Sequence, residues 1–263
     1  MPESSFLAWA LLAFAAAVAG LSKSAIPGSV TISVAIFAAV LPAKESTGAL
    51  LVLLILGDLG AIWVYRRSVD WRILIRLIPA VLVGLALGFG FLARTTDRQV
   101  AIAIGLILLV VITLALYQRR ATHHRPERRR PATPGPATWR ARGERVLYGA
   151  AGGFTTMVAN AAGPVMSMYF LASRLPIRVF LGTTAWFFGV LNLIKLPFSI
   201  QLGLITAESL RMNLALAPAL LAGFVCGRLL VRRMNQQVFE RLVILFTVLG
   251  AGYLLTQGFL PTP

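Results

Sequence analysis

Charge is scarce in this chain. Asp, Glu, Lys and Arg make up 13% of its 263 residues, roughly half the charged fraction of a soluble domain. Hydrophobic residues make up 58%, and the mean hydropathy is +0.80. The single cysteine, Cys226, excludes an internal disulfide, and its apolar setting reads as that of a small packing residue. The two histidines, His123 and His124, are neighbours in a polar stretch. No histidine lies in an apolar run, which excludes an intramembrane Ser–His dyad. No His/Cys set has metal-ligand spacing, so no metal is expected. A GxxxxGK[ST] phosphate loop is missing too. The expectation is a protein with no cofactor and no enzymatic chemistry.

Apolar runs of membrane-spanning length recur from end to end. They are placed at about 6–21, 26–41, 48–65, 73–93, 98–117, 146–172, 180–200, 212–231 and 239–259. The run 146–172 is interrupted by Asn160, Gly163 and Pro164 and reads as two segments. The first run is preceded by Glu3 and by no Lys or Arg, so it reads as a retained span and not as a signal peptide.

Basic residues outnumber acidic ones, 25 to 9. Nine arginines crowd into "RRATHHRPERRRPATPGPATWRARGER", residues 119–145, which is rich in Pro, Arg and Thr. This stretch reads as an exposed cytoplasmic linker drawn to anionic lipid headgroups. Aromatic interleaving is absent apart from Trp139, so nucleic acid is not expected as a partner.

The linker divides two similar halves, read as a first transmembrane repeat (1–118) and a second (146–263). "LPAKESTG" (41–48) returns as "LPIRVFLG" (175–182), 134 positions later, and the same offset sets Asp58 against Asn192. "PAVLVGLALG" (79–88) returns as "PALLAGFVCG" (218–227), 139 positions later. Gly20 falls near Gly152 or Gly153. Duplicated membrane folds are most often transporters that hold substrate at the repeat interface. Arg66, Arg67, Arg72 and Arg76 follow the third run, whereas in the second half the cluster Arg228, Arg232, Arg233 and Arg241 follows the counterpart of the fourth. The positive-inside rule accommodates both if each repeat has an odd number of crossings. The expectation is an all-α polytopic membrane protein of two homologous, inverted repeats with four to five segments each. A homo-oligomer is compatible with such a chain.

Polar residues inside the runs carry the functional reading. Only three lysines occur, and two of them, Lys23 and Lys195, interrupt apolar sequence. A cation at the bilayer centre costs at least about 2.5–3.5 kcal/mol. "SKSAIPG" groups Ser22, Lys23, Ser24, Pro27 and Gly28. A proline suits the first turn of a new helix, with Ser24 as its cap. Such a helix start at membrane depth is an anion site. The second half repeats the device as "GFTTMVANAAGPV", with Thr155, Thr156, Asn160, Gly163 and Pro164. The substrate contacts expected from these breaks are Ser22, Lys23, Ser24, Gly28, Thr156, Asn160 and Gly163, with Asn192 and Lys195 tuning the cavity. Asp58 is read as pairing with Lys23 or Lys195, or as carrying a proton. Lys44 and Glu45 read as a solvated loop pair. Trp186 and Tyr169 read as core.

"GLSKSAIPG", followed by "LPAKESTGALLVLLILGDLGAIWVYRRSVDWRILIRLIPAVLVGLALG" and its degenerate second copy, resembles the TauE/SafE-type sulfite exporter family of bacterial permeases. The resemblance covers nearly the whole chain outside the arginine-rich linker. Many relatives have a glycine-rich stretch where this chain has "SKSAIPG". The resemblance implies a multi-pass protein of the bacterial inner membrane that exports sulfite or a small organosulfonate such as sulfoacetate. A cation- or proton-coupled importer using Asp58 and a non-transporting scaffold docking through the basic linker are the alternatives.

Overall fold

The computed structural model describes residues 5–100, 139–173 and 175–235, with scattered positions in 102–113 and 238–245. Every regular element among the described residues is helical. In chain order they are α1 (Phe6–Ser24), a 3-10 turn (Pro27–Ser29), α2 (Val30–Val40), α3 (Ala43–Tyr65) and α4 (Trp71–Arg94), then α5 (Trp139–Ala159), α6 (Ala162–Ala172), α7 (Ile177–Gln201) and α8 (Ala207–Arg232). Five of these, α1, α3, α4, α7 and α8, are long and apolar enough to cross a membrane. The runs expected at 98–117 and 239–259 lie mostly outside the described residues, as does the basic stretch up to 138. Helix α5 begins at Trp139, inside the segment read as a linker.

Local chemistry sets the helix starts. Asp70 caps α4, its carboxylate accepting from the N–H groups of Arg72 and Ile73 at 3.0 and 3.2 Å. Thr206 and Ser209 form a reciprocal capping box at the start of α8. Prolines Pro42 and Pro176 precede α3 and α7 at equivalent places in the two halves. Lys44 and Glu45 lie in the first turn of α3 and not in a loop.

Two of the expected spans are half-length arms. Helix α2 has 11 residues, as does α6, or about 16 Å at 1.5 Å per residue, half the hydrocarbon thickness. The Ser33 hydroxyl donates to the Ala15 carbonyl at 2.7 Å, which folds α2 back along α1 as a hairpin. The tip of this hairpin meets the start of α6: a Cβ added to Gly163 would press on the Pro27 carbonyl and the Val30 side chain.

Helices α3 and α7 run antiparallel through the centre. Gly48 lies against Leu204, Asp58 against Asn192, and Gly182 against Ser68. Asp58 and Asn192 are the positions that the internal repeat equates, so repeat mates touch one another. The outer pairs follow the same correspondence. In α1 and α8, Gly20 abuts the Leu220 and Phe224 backbone while Gly223 abuts Ala17. In α5 and α4, Gly153 abuts the Val81 and Leu85 backbone while Gly84 abuts Ala150. Each contact in one pair is matched by its repeat counterpart in the other. A glycine is required at these four places because the neighbouring backbone occupies the space of a Cβ.

Outward positions are apolar where they would meet lipid, including Leu82, Leu87, Leu214, Leu221 and Val225. Cys226 is also exposed, on α8, and is not the packing residue expected of it. Trp186 does pack inward, its ring 5.1 Å from that of Trp71.

Substituting leucine at Gly84 or Gly223 should separate the paired helices and lower the thermal midpoint in detergent, at a cost of about 1–3 kcal/mol or more. Gly90, which has open space around it, should accept leucine with no shift. Equal midpoints for all three variants would contradict the close approach.

Candidate functional site

A narrow cavity lies where the hairpin tip, the α5–α6 break and the central helices α3 and α7 converge. Its walls include Ser22, Lys23, Asp58, Thr156, Asn160, Gly163 and Asn192 from the residues anticipated, together with Pro27, Val30, Leu54, Leu181, Thr184, Ala185 and Phe188.

Lys23 occupies the last turn of α1, with its stem laid across Gly57 of α3. A side chain at position 57 would collide with that stem, so the glycine makes room for it. The ammonium reaches Asp58 Oδ1 at 2.6 Å and lies 5.0 Å from the centre of the Phe188 ring. The other carboxylate oxygen of Asp58 accepts from Asn192 Nδ2 at 2.6 Å. Asp58 is therefore held by one charged and one neutral donor, from two different helices. Asn192 Oδ1 is buried without a hydrogen-bond partner, an acceptor left over beside the cavity.

Across the cavity the second break is built differently. Helix α5 stops at Asn160, whose φ of 52° is left-handed. Asparagine tolerates that conformation better than most residues. Its amide nitrogen donates to the Thr47 carbonyl of α3 at 2.8 Å, and the Thr47 hydroxyl donates to the Val158 carbonyl at 3.3 Å. Its amide oxygen accepts from Lys195, which also donates to the Thr156 carbonyl and lies 3.4 Å from the Thr156 hydroxyl. Lys195 is fully buried and does not line the cavity. It stands behind Thr156 and Asn160 and fixes the shape of the break. Helix α6 then starts at Ala162, so Gly163 presents the positive end of a helix to the cavity.

Some expected contacts are redirected. The Ser22 hydroxyl borders the cavity but donates to the Pro27 carbonyl at 3.0 Å. Ser24 caps no helix. Its hydroxyl turns back to the Gly20 and Leu21 carbonyls, and its own carbonyl accepts from Tyr65 at 2.8 Å. Gly28 sits in the 3-10 turn, its carbonyl accepting from Thr31, and lies off the cavity wall. The reason is local: a hydroxyl near a helix end finds a carbonyl in its own turn or in the next few residues of the chain before it finds a ligand. Pairing of Asp58 with Lys23 is the arrangement observed, with Lys195 bound to neutral oxygens. Thr184 and Phe188 on α7 were missed. Both follow "LPIRVFLG" at helical spacing, facing the side that holds Asn192, which is the signal that could have found them.

The pair should respond as a buried charge does. Asp58→Ala leaves the Lys23 ammonium unmatched and should cost about 3–5 kcal/mol, whereas the double replacement Lys23→Met, Asp58→Leu should recover most of that loss. Thermal unfolding in detergent reads the difference. A double variant no more stable than Asp58→Ala would show that the charges are not coupled.

The family model described as "Sulfite exporter TauE/SafE" matches residues 12–254. No curated protein and no solved structure matches the chain. The chain belongs to the sulfite exporter TauE/SafE family, and it is a multi-pass membrane transporter.

Proposed function

We propose that this member of the TauE/SafE family is a secondary exporter, in the bacterial inner membrane, of a small sulfur-containing anion: sulfite or a C2–C3 organosulfonate of the sulfoacetate kind. The observation that carries this reading is Lys23, a cation at membrane depth on the wall of a cavity that also takes the start of α6. A helix start and an ammonium around one hollow form an anion cradle. Thr156, Thr184 and Asn160 line the same walls; the Thr184 hydroxyl donates to the Phe180 carbonyl, and the Asn160 amide is bound to Thr47 and Lys195.

The antiparallel α3 and α7, with repeat mates Asp58 and Asn192 in contact, support reading the halves as inverted repeats: residues 1–118 and 146–263, joined by the basic stretch 119–145 on the cytoplasmic side. Arg178, Arg228 and Arg232 gather near the Tyr65 end of α3, beside Arg66 and Arg67 in sequence, as expected if both clusters face the cytoplasm. Alternating access then consists of rocking the α1–α8 pair against the α4–α5 pair around the site. Each pair is closely packed through its glycines and moves as a unit. The membrane potential, negative inside, drives each exported negative charge by about 2.3 kcal/mol per 100 mV, so export needs no ATP.

A binding screen on purified protein across sulfite, sulfoacetate, taurine, sulfolactate, sulfate and carboxylate analogues tests the assignment. Sulfonates should bind to the wild type and be lost in Lys23→Ala. Unchanged sulfonate binding by a folded Lys23→Ala protein would remove the assignment.

A further inference from the structure

Among the described residues that line the cavity, Lys23 and Asp58 are the two that carry charge. They meet each other at 2.6 Å, and their side chains are 9% and 2% exposed. The pair is held from both sides. The Lys23 stem lies in the room left by Gly57, and its ammonium sits 5.0 Å from the centre of the Phe188 ring. Asn192 donates to the second carboxylate oxygen at 2.6 Å, which keeps the first turned to the lysine. The charge of Lys23 is therefore answered by the protein itself. An ammonium has three N–H donors, and Asp58 Oδ1 engages one side of it. The other donors serve an incoming anion.

Net export places a second demand on such a site. A carrier driven by the membrane potential, with no solute carried the other way, has to turn its site from outside back to inside unloaded. During that passage the site closes to both water phases, and a cation without a counter-charge at membrane depth is costly. A loaded carrier has the anion as counter-charge. On the wall of this cavity, an unloaded one has Asp58.

We propose that Asp58 is a built-in counter-anion for the return step: it takes Lys23 back when the substrate leaves, and so lets the unloaded carrier reorient. This rests on the anion-exporter reading and deepens it. Asp58 acts through Lys23, as a positioning residue, and it sets the mode of transport: net export in place of obligatory exchange. Asn192 assists by fixing the carboxylate. The role applies alike to sulfite, to simple sulfonates and to sulfonates with a second carboxylate, because it concerns the step in which none of them is bound.

The purified full chain in liposomes, loaded with labelled sulfite or labelled sulfoacetate, tests the role. Potassium and valinomycin hold the membrane potential at zero, and protein-free vesicles supply the background. Efflux is timed into medium without the anion, which requires unloaded return, and into medium holding the same anion unlabelled, where the carrier returns loaded. In the wild type the two rates should agree within about threefold, whereas in Asp58→Asn efflux into anion-free medium should fall about tenfold or more below exchange. Asp58→Glu keeps the charge and should keep the wild-type ratio. A purely structural role would lower both rates together and leave their ratio unchanged. A folded Asp58→Asn protein with the wild-type ratio would overturn the counter-anion role while leaving the anion carrier standing. So would an Asp58→Glu protein with the ratio of Asp58→Asn, or a wild type that exchanges but releases no anion into anion-free medium. Transport of neither probe in either mode would remove the exporter reading, and this role with it. If Asp58→Asn does not fold, the wild-type comparison decides alone.

Discussion

A charge at bilayer depth has to be met by another group, and the organisation of this protein follows from that requirement. Lys23 and Asp58 would each be costly alone, by about 2.5–3.5 kcal/mol or more. Together, at 2.6 Å, they tie the end of α1 to the middle of α3. Asn192 extends the tie to α7. Gly57 exists at its position because the lysine stem passes there. The three helices that border the cavity on this side are therefore joined by one polar connection, and the hollow forms beside it.

The opposite wall meets the same requirement without a carboxylate. Lys195 is satisfied by a backbone carbonyl, a hydroxyl and an amide oxygen, and Asn160 passes the connection on to Thr47 of α3. The two halves thus share a helix plan but not a site chemistry. In the first, the lysine sits on the hairpin arm itself. In the second, it sits on the long helix behind the arm. Divergence of this kind gives one cavity two unlike walls, one built on an ion pair and one backed by a lysine among neutral oxygens.

Much of this was readable in advance because bilayer depth makes polar residues conspicuous. The broken run at "SKSAIPG" and the interruption at Asn160 marked the two breaks, and the 134-residue offset paired Asp58 with Asn192 before any contact was known. Hydroxyl directions were not readable. Ser22 and Ser24 satisfy nearby carbonyls, a local choice decided by the chain's path after the last turn of α1. The exposure of Cys226 escaped for another reason. In lipid the outside is as apolar as the inside, so hydropathy does not tell a packing face from a lipid face.

Hydropathy was enough to establish an all-helical membrane protein, and internal repetition pointed to a duplicated plan and to the few buried polar side chains of the candidate site, because each of these depends on residue type and order alone. Folding in three dimensions decided which partners those side chains take. Lys23 could have paired with an anion, a headgroup or a carboxylate. The crossing of α1 over Gly57 brought Asp58 to it and left Lys195 among neutral oxygens. Partner choice depends on distances between helices far apart in the chain, and no local pattern of residues contains them.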